Sequence, residues 1–234
     1  MQARWSEEYP LRISDNDAIV WDVANWSRAL RYWEREAALS ERPLQCLEVG
    51  AKGGGLSVWL ALRGHAVVCS DFQKLPIEAE ALAERHHVKH RIRFENIDAT
   101  RIPYESTFDI IAFKSVLGGI GHDGAIERQR AAVASMYQAL RPGGRLLFAE
   151  NLTASPLHTL LRRRYIRWGT HWRYVTIDEM QSFLAPFSRV RLATTGFFSA
   201  LGRSERQRRM LSLLDRVVIV PPAWRYIVYG VATK

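Results

Sequence analysis

Residues 44–57 read L-Q-C-L-E-V-G-A-K-G-G-G-L-S and are the most informative stretch of this 234-residue chain. An apolar run that carries Glu48 near its end predicts a buried strand, Gly50 and the glycines at 53–55 predict a tight turn, and a helix is expected to follow. In a parallel α/β sheet this junction lies at the carboxyl edge of the strands, where ligands bind. Glycines let the backbone approach a ligand closely, and the N–H groups of a helix start attract negative charge.

A second acid follows the next predicted strand, H-A-V-V-C-S-D at residues 65–71. Asp71 lies 21 residues beyond Gly50 and could accept two hydrogen bonds from a ribose diol, as in dinucleotide-binding folds. The nicotinamide fingerprint G-x-G-x-x-G is not present, because position 52 is lysine. Glu48, two residues before the first glycine, would instead lie near a cationic amine.

The pattern E-x-G-x-x-x-G resembles the first motif of class I S-adenosylmethionine-dependent methyltransferases, whose usual form is E/D-x-G-x-G-x-G. Three further stretches resemble later parts of that family in the same order. They are R-I-R-F-E-N-I-D (91–98, third strand), F-D-I-I-A-F-K-S (108–115, fourth strand) and L-R-P-G-G-R-L-L-F-A-E-N (140–151, helix stop, Pro-Gly-Gly turn and fifth strand). The resemblance covers about residues 40–152.

The resemblance implies a Rossmann-like, doubly wound α/β fold with a seven-stranded sheet, mostly parallel with an antiparallel C-terminal strand. Together with 47% hydrophobic residues, this predicts one methyltransferase domain over 1–234. Its expected parts are an N-terminal helical cap (1–40), a cofactor-binding core (41–151), a substrate lid (152–176), and C-terminal strands and helices (177–234).

The resemblance also implies S-adenosylmethionine as the cofactor. Asp98, at the end of the third strand, would read the adenine amine, and Lys114 and Ser115 would face the methionine part. The predicted cofactor-binding residues are Glu48, Gly50, Lys52, Gly54, Asp71, Phe72, Asp98, Ala99, Lys114 and Ser115.

Lys52 replaces the middle glycine of the family motif, and two interpretations stay open. Its ammonium pairs with the cofactor carboxylate, or it is a solvated lysine that points out of the turn. Because a side chain costs more than glycine at an unusual dihedral, we expect Gly53 to take up the unusual backbone conformation.

Charge is unevenly distributed along the chain. Residues 1–151 hold 19 Lys/Arg against 20 Asp/Glu, whereas residues 152–234 hold 14 against 4. Arginine binds phosphates and carboxylates well, and the aromatic residues within 162–168 could lie against a sugar, a base or a lipid interface. The alternative is that the arginine runs, here and at 203–209, are solvated helix faces.

Composition restricts the remaining properties. No 18-residue apolar run occurs, and the first ten residues lack an apolar signal core, so a cytoplasmic protein is expected, with peripheral contact to the inner membrane face as an option. Cys46 and Cys69 fall on predicted strands, where small buried thiols are expected. No residues have convincing metal-ligand spacing, and no metal site is predicted.

Two segments flank the core. In residues 15–38, apolar residues at helical spacing predict a helix whose tryptophans pack on the sheet; alternatively, Trp21 or Trp26 closes over the cofactor. In residues 152–176, four apolar positions predict one amphipathic helical stretch: Leu157, Leu160, Leu161 and Ile166.

Methyl transfer from a sulfonium is a direct displacement, and a base helps when the acceptor is an alcohol. Histidine suits that task because its unperturbed pKa is near 6.5. The candidates are His122, in the loop G-G-I-G-H-D, and His171 in the lid, with Asp123 or Glu150 as orienting carboxylate. A structural or solvated histidine is the alternative in each case.

The range of possible methyl acceptors is narrowed by one missing motif and by a second resemblance, which is less specific than the first. After the fourth strand the chain has K-S-V-L in place of the D/N-P-P-Y/F of base-amine methylases. N-L-T-A-S-P-L-H and the terminal W-R-Y-I-V-Y-G-V are similar to small bacterial methyltransferases of surface-polysaccharide and glycolipid synthesis, which implies O-methylation of a sugar hydroxyl, lipid- or phosphate-linked. Two alternatives remain: an RNA methyltransferase that uses the basic last third, and a non-catalytic scaffold.

Overall fold

The computed structural model describes residues 13–37, 39, 42–73, 77–165 and 171–234. Ile166 and Trp168 of the predicted lid, and the first twelve residues of the predicted cap, lie outside the described residues. The central sheet has seven strands: β1 Gln45–Val49, β2 Ala66–Asp71, β3 Ile92–Asn96, β4 Phe108–Lys114, β5 Leu140–Asn151, β6 Arg189–Thr195 and β7 Ile227–Thr233.

The strands lie in the order β3-β2-β1-β4-β5-β7-β6. All pairs are parallel except those of β7, which runs antiparallel to both β5 and β6. This arrangement confirms the predicted Rossmann-like, doubly wound sheet with an antiparallel C-terminal strand in a single domain.

Helices cover both faces of the sheet: α1 Asp15–Ala18, α2 Val23–Glu36, α3 Gly55–Ala61, α4 Ile77–Arg85, α5 Leu117–Ile120, α6 Ile126–Ala139, α7 Pro156–Tyr165, α8 Ile177–Phe183 and α9 Glu205–Val217. Alternate residues of β4 face opposite layers: Ile110 belongs to one apolar core, whereas Ile111 and Phe113 belong to the other. Strands buried on both faces are expected to be apolar almost throughout, and the interior of β4 is.

The N-terminal helix is interrupted, contrary to the continuous helix predicted for residues 15–38. Asp22 adopts a left-handed conformation (φ 45°) between α1 and α2, which breaks the helical hydrogen bonding there. Trp33 on α2 is fully buried, and its Nε1 donates to the Gly230 carbonyl at 2.9 Å. Trp33 therefore packs on the sheet, as predicted.

Two strand boundaries differ from the predictions. The predicted Pro-Gly-Gly turn is a bulge inside β5, because Phe108 pairs with Leu140 whereas Ile110 pairs with Arg145. The predicted terminal strand from Trp224 begins only at Ile227, since Pro222–Trp224 forms a 3₁₀ turn. Proline lacks the N–H that a strand ladder needs.

The structure also bears on the cysteines and on membrane-spanning helices. Cys46 and Cys69 are free and buried on β1 and β2. Within the described part of the chain, none of the helices has the length and apolar character needed to cross a membrane.

Candidate active site

A cavity of about 1770 Å³ opens at the carboxyl edge of the sheet, where β1, β2 and β4 end. It is lined by nine of the ten predicted cofactor-binding residues, and Gly54 is the tenth. The lining predicted residues are Glu48, Gly50, Lys52, Asp71, Phe72, Asp98, Ala99, Lys114 and Ser115. The topology thus brings together residues that are up to 67 positions apart in the chain.

Glu48 is a buried carboxylate at the end of β1. Its Oε2 accepts hydrogen bonds from the Ser57 backbone N–H at 2.7 Å and from Ser57 Oγ at 2.5 Å. Burial raises the pKa of Glu48 to about 7, although these hydrogen bonds and the Lys114 charge act in the opposite direction. A cation that enters the cavity beside Glu48 would favour its ionised form.

The glycine turn has two left-handed glycines, Gly50 (φ 67°) and Gly54 (φ 72°). A Cβ at Gly50 would lie 2.5 Å from Val116 Cγ2, so the turn has no room for a side chain there. Lys52 itself adopts a left-handed conformation (φ 47°), and Gly53 does not. The expectation that Gly53 takes up the unusual dihedrals is therefore wrong; the Lys52 N–H donates to Asp71 Oδ2 at 2.9 Å and holds the turn in place.

Asp98 lies two residues after the end of β3, and its carboxylate is held by hydrogen bonds within a local turn. Its Oδ1 accepts from Thr100 N–H at 2.8 Å and from Thr100 Oγ1 at 2.7 Å. Burial alone would raise the pKa of Asp98, but these hydrogen bonds, together with Arg128 and Arg101, hold it below its usual value. Asp98 is therefore ionised at neutral pH and available as a hydrogen-bond acceptor.

Lys114 projects into the cavity from the end of β4. Its Nζ lies 4.8 Å from the centre of the Trp26 ring, and burial lowers its pKa, while the charges of Glu150 and Glu48 counteract that shift. Lys52 is close enough to lower the Lys114 pKa further. Trp21 and Trp26 both line the cavity, and Trp26 is buried.

Ser115 and Glu150 are positioned by hydrogen bonds between the segments that end β4 and β5. Ser115 accepts a hydrogen bond from Asn151 Nδ2 at 2.6 Å. Glu150 Oε2 accepts from the Val116 and Leu117 N–H groups at 2.8 and 2.7 Å, at the start of α5. The hypothesis that Glu150 orients a histidine is therefore wrong: this buried carboxylate binds backbone amides.

The residues from 158 onwards add cationic and aromatic side chains to the cavity lining. The arginine runs are visible in the sequence, but which of their side chains line the cavity depends on how distant segments pack together. We call these cationic and aromatic side chains the basic wall: Arg162, Tyr165, Trp172, Tyr174, Arg203 and Arg208. The Arg162 guanidinium lies 4.0 Å from the centre of the Tyr174 ring, and among the described lining residues from 158 onwards there is no carboxylate.

His158 is the histidine among the described lining residues, and it is fixed in a neutral tautomer. Its Nε2 contacts the Phe197 carbonyl at 2.9 Å, and a carbonyl only accepts, so Nε2 carries the proton. Nδ1 then accepts from Ser155 Oγ at 2.7 Å. Burial lowers the pKa of His158, so it is a structural residue of α7 with no free nitrogen for base chemistry.

The predicted catalytic histidines lie side by side outside the cavity lining. The rings of His122 and His171 are stacked with 4.9 Å between centres, and Asp123 contacts one Nδ1 with each carboxylate oxygen, at 2.8 and 3.0 Å. Asp123 therefore orients both rings, as the sequence analysis suggested for one. Trp172, next to His171, lines the cavity, so the pair lies near its rim; a catalytic role stays a prediction.

These three side chains also have the spacing of potential metal ligands. One ligand atom from each lies within 4.8 Å of the others, and all three residues are exposed. The hydrogen bonds between them account for the arrangement without an ion, and the prediction of no metal site stays a prediction.

The chain matches the family model of a methyltransferase domain over residues 47–148. A comparison with curated proteins gave no match. The matched segment contains the glycine turn, Asp71, Asp98 and the end of β4, and none of the basic wall.

Solved structures share the fold over most of the chain. A protein of Bacillus halodurans described as a candidate methyltransferase is 16% identical, with a TM-score of 0.60 over 89% of this chain and 99% of that one. The N-methyltransferase NodS of Bradyrhizobium japonicum, in complex with S-adenosylhomocysteine, is 17% identical, with a TM-score of 0.59 over 98% and 93%. A candidate O-methyltransferase of Nostoc punctiforme is 15% identical, with a TM-score of 0.59 over 94% of this chain and 60% of that one. These structures differ in the acceptor atom their names give, so the shared fold does not identify the acceptor.

Proposed function

Because the chain carries a class I S-adenosylmethionine-dependent methyltransferase domain with S-adenosylmethionine as its cofactor, we propose that it methylates a hydroxyl group of an anionic small-molecule or glycan acceptor. The bound cofactor supplies an activated methyl group. The task of the protein is to align the acceptor oxygen and to exclude water, and orientation of this kind contributes up to about 7–11 kcal/mol.

The cavity residues at the carboxyl ends of the strands fit this cofactor. The turn at Gly50 is a close-approach site that a Cβ would fill, and Glu48, Asp71 and Asp98 present carboxylates at three successive strand ends. In the proposed arrangement Glu48 faces the amine, Asp71 the ribose diol and Asp98 the adenine amine. Lys52 and Lys114 form a cationic pair suited to a carboxylate.

The basic wall is the observation that carries the acceptor proposal. Three arginines, of which Arg208 is paired with Glu205, and three aromatic rings favour a ligand that combines a negative charge with a flat or ring-shaped surface. A glycosyl phosphate or a lipid-linked sugar has both features, which supports O-methylation of a glycan of the kind made in surface-polysaccharide and glycolipid synthesis.

The cavity volume supports two ligands rather than one. Ligand pockets commonly measure about 300–1,000 Å³, so about 1770 Å³ leaves room for an acceptor beside the cofactor. The lid that contributes α7 supplies part of the basic wall. The proposed division is that residues 41–151 bind the cofactor and residues 152–176 bind the acceptor.

The proposed pairing of Lys52 with the cofactor carboxylate predicts a small, specific effect. Lys52→Met is expected to weaken binding of S-adenosylhomocysteine about two- to fivefold, because an exposed ion pair contributes about 0.2–1 kcal/mol. Calorimetry with 5′-methylthioadenosine, which lacks the amino-acid part, is the matched control and should give unchanged affinity. Equal losses for both ligands would show that the substitution disturbs the turn instead of removing an ion pair.

Methyl transfer to glycosyl phosphates and to the matching neutral glycosides tests the acceptor proposal. Phosphorylated acceptors are expected to have a KM at least tenfold lower, and Arg203→Gln should raise that KM selectively because Arg203 lines the basic wall. Arg189→Gln, on β6, is the control. Methylation of polyribonucleotide with no glycan turnover would favour the RNA alternative, and failure to bind S-adenosylhomocysteine would favour a scaffold.

A further inference from the structure

Helix α9 exposes most of its apolar side chains to solvent. An amphipathic helix normally buries its apolar stripe and exposes its polar face. Here the exposed fractions are 65% for Met210, 55% for Leu213, 44% for Leu214 and 80% for Val217. These four residues have the spacing i, i+3, i+4 and i+7 and form one continuous stripe, which we call the outer stripe.

The inner face of α9 carries polar side chains that hydrogen-bond to the rest of the protein. Asp215 Oδ1 accepts from the N–H groups of Phe197 and Phe198 at 2.8 and 2.7 Å. Ser212 is buried, and Glu205 accepts from the Asp22 N–H at 2.9 Å. Polar contacts thus hold the helix with its apolar stripe outward, so turning the stripe inward would break them.

Arginines border the outer stripe. Arg206 lies one helical turn before Met210 on the same side, and Arg209 and Arg216 lie seven residues apart along one flank; all three are exposed. The two acids of α9 do not neutralise them, since Glu205 pairs with Arg208 and Asp215 faces inward. The exposed surface of α9 is therefore apolar and positively charged.

The apolar surface continues past the end of the helix. Ile219 is 95% exposed and Trp224 is half exposed, and the Trp224 ring stacks on Phe197. Phe197 also contacts His158 of α7 edge-on, and Leu157 and Leu160 of that helix are exposed as well. Tryptophan and arginine beside exposed aliphatic side chains are typical of surfaces that lie in a membrane interface.

We propose that the outer stripe and its three arginines dock this protein on the surface of an anionic lipid bilayer. The aliphatic side chains would enter the boundary between headgroups and acyl chains, and the arginines would contact anionic headgroups. Charge argues for this occupant over a second copy of the chain: a two-fold interface brings the same patch against itself, so the positive charges of the two copies would lie close together.

Docking would bring the cavity to the lipid surface. Arg203, which belongs to the basic wall, lies two residues before the start of α9, and Tyr165 of the same wall ends the helix that carries Leu157 and Leu160. An acceptor anchored in the bilayer could then reach the basic wall without leaving the lipid. This consequence for the acceptor rests on the proposed function, whereas the docking itself does not.

Vesicle flotation tests the docking surface. The full chain is expected to float with vesicles of phosphatidylglycerol and phosphatidylcholine (3:7), to bind pure phosphatidylcholine at least tenfold more weakly, and to lose affinity as salt rises. Leu213→Glu/Val217→Glu should reduce binding at least tenfold. Arg209→Glu/Arg216→Glu should do the same, since each arginine near an anionic surface contributes about fivefold.

Ile77→Glu is the matched control, because Ile77 is 83% exposed on α4, outside the outer stripe. It should float like the unmodified chain. Melting temperature and binding of S-adenosylhomocysteine are measured for every variant, so that loss of docking is separated from loss of folding and from failure of the methyltransferase proposal.

Three results would overturn the docking proposal. The first is no flotation of the unmodified chain with the anionic vesicles. The second is flotation that survives Leu213→Glu/Val217→Glu. The third is a dimer in light scattering that the same two substitutions dissociate, or polyribonucleotide binding that they abolish; either would assign the stripe to another partner.

Discussion

Asp71→Asn is expected to weaken binding of S-adenosylhomocysteine about 100-fold. In the proposed site the Asp71 carboxylate accepts hydrogen bonds from both ribose hydroxyls, and hydrogen bonds to a charged group contribute about 1.5–3 kcal/mol each. Its Oδ2 also accepts from the Lys52 N–H at 2.9 Å, so the substitution disturbs the glycine turn as well. Isothermal calorimetry of the purified variant measures the loss directly.

Asp178→Asn is the control for this experiment. Asp178 is an exposed acid in the first turn of α8, and it does not line the cavity. The same change of chemistry there should leave the affinity within a factor of two. An Asp71→Asn variant that is folded and binds within threefold of the unmodified chain would contradict the ribose assignment.

Asp22→Asn is expected to stabilise the protein above pH 7. Asp22 is fully buried, its Oδ1 has no hydrogen-bond partner among the described residues, and its Oδ2 accepts from Ser199 Oγ at 3.3 Å. Burial raises the pKa of Asp22 to about 7, and the nearby charges of Glu205 and Asp215 raise it too, while hydrogen bonds from Asn25 and Ser199 lower it. The folded state thus holds a proton on Asp22 that the unfolded chain releases near pH 4.

The sign of the pH dependence follows from that proton. The contribution of Asp22 to stability is complete below about pH 4, and it is lost as pH rises through about 7, because the unfolded state then binds fewer protons than the folded state. The shift from 3.8 to about 7 corresponds to roughly 4 kcal/mol at most, at about 1.4 kcal/mol per pKa unit. Asparagine mimics the protonated acid and removes this loss.

Urea unfolding at pH 5 and pH 8 checks this prediction. The difference in unfolding free energy between the two pH values should be smaller in Asp22→Asn by about 2–3 kcal/mol. Glu48 contributes a slope of the same sign, so only the difference between variant and unmodified chain is informative. Asp215→Asn is the control and should gain no stability at pH 8, because its carboxylate accepts from several backbone N–H groups; equal slopes for Asp22→Asn and the unmodified chain would refute the prediction.

Much of the cofactor side of the site could be predicted from the sequence, because its signals are local. An acid at a strand end, followed by a glycine turn and a helix, needs only neighbouring residues to be recognised, and parallel strands bring such ends to one edge. The expectation for Gly53 failed because local preference could not show that the Lys52 N–H is held by Asp71, 19 residues away.

The residues of the proposed acceptor site could not be predicted from the sequence with the same detail. Arginine runs indicate charge, but burial and contacts decide which arginine faces a cavity: Arg203 and Arg208 line the basic wall, whereas Arg206 and Arg209 face outward. His158 had no distinguishing pattern, and its neutral tautomer follows from contacts with Ser155 and Phe197.

By itself the sequence determined the fold class and the cofactor edge, since alternating apolar strands, turns and acids act over short distances along the chain. Only the tertiary structure decided the burial of Asp22, the composition of the basic wall and the outward direction of the stripe on α9. Those features depend on which distant segments pack together. A helix with one apolar stripe has the same periodicity whether that stripe faces a core or solvent, and here Asp215, bound to the Phe197 and Phe198 amides, sets the direction.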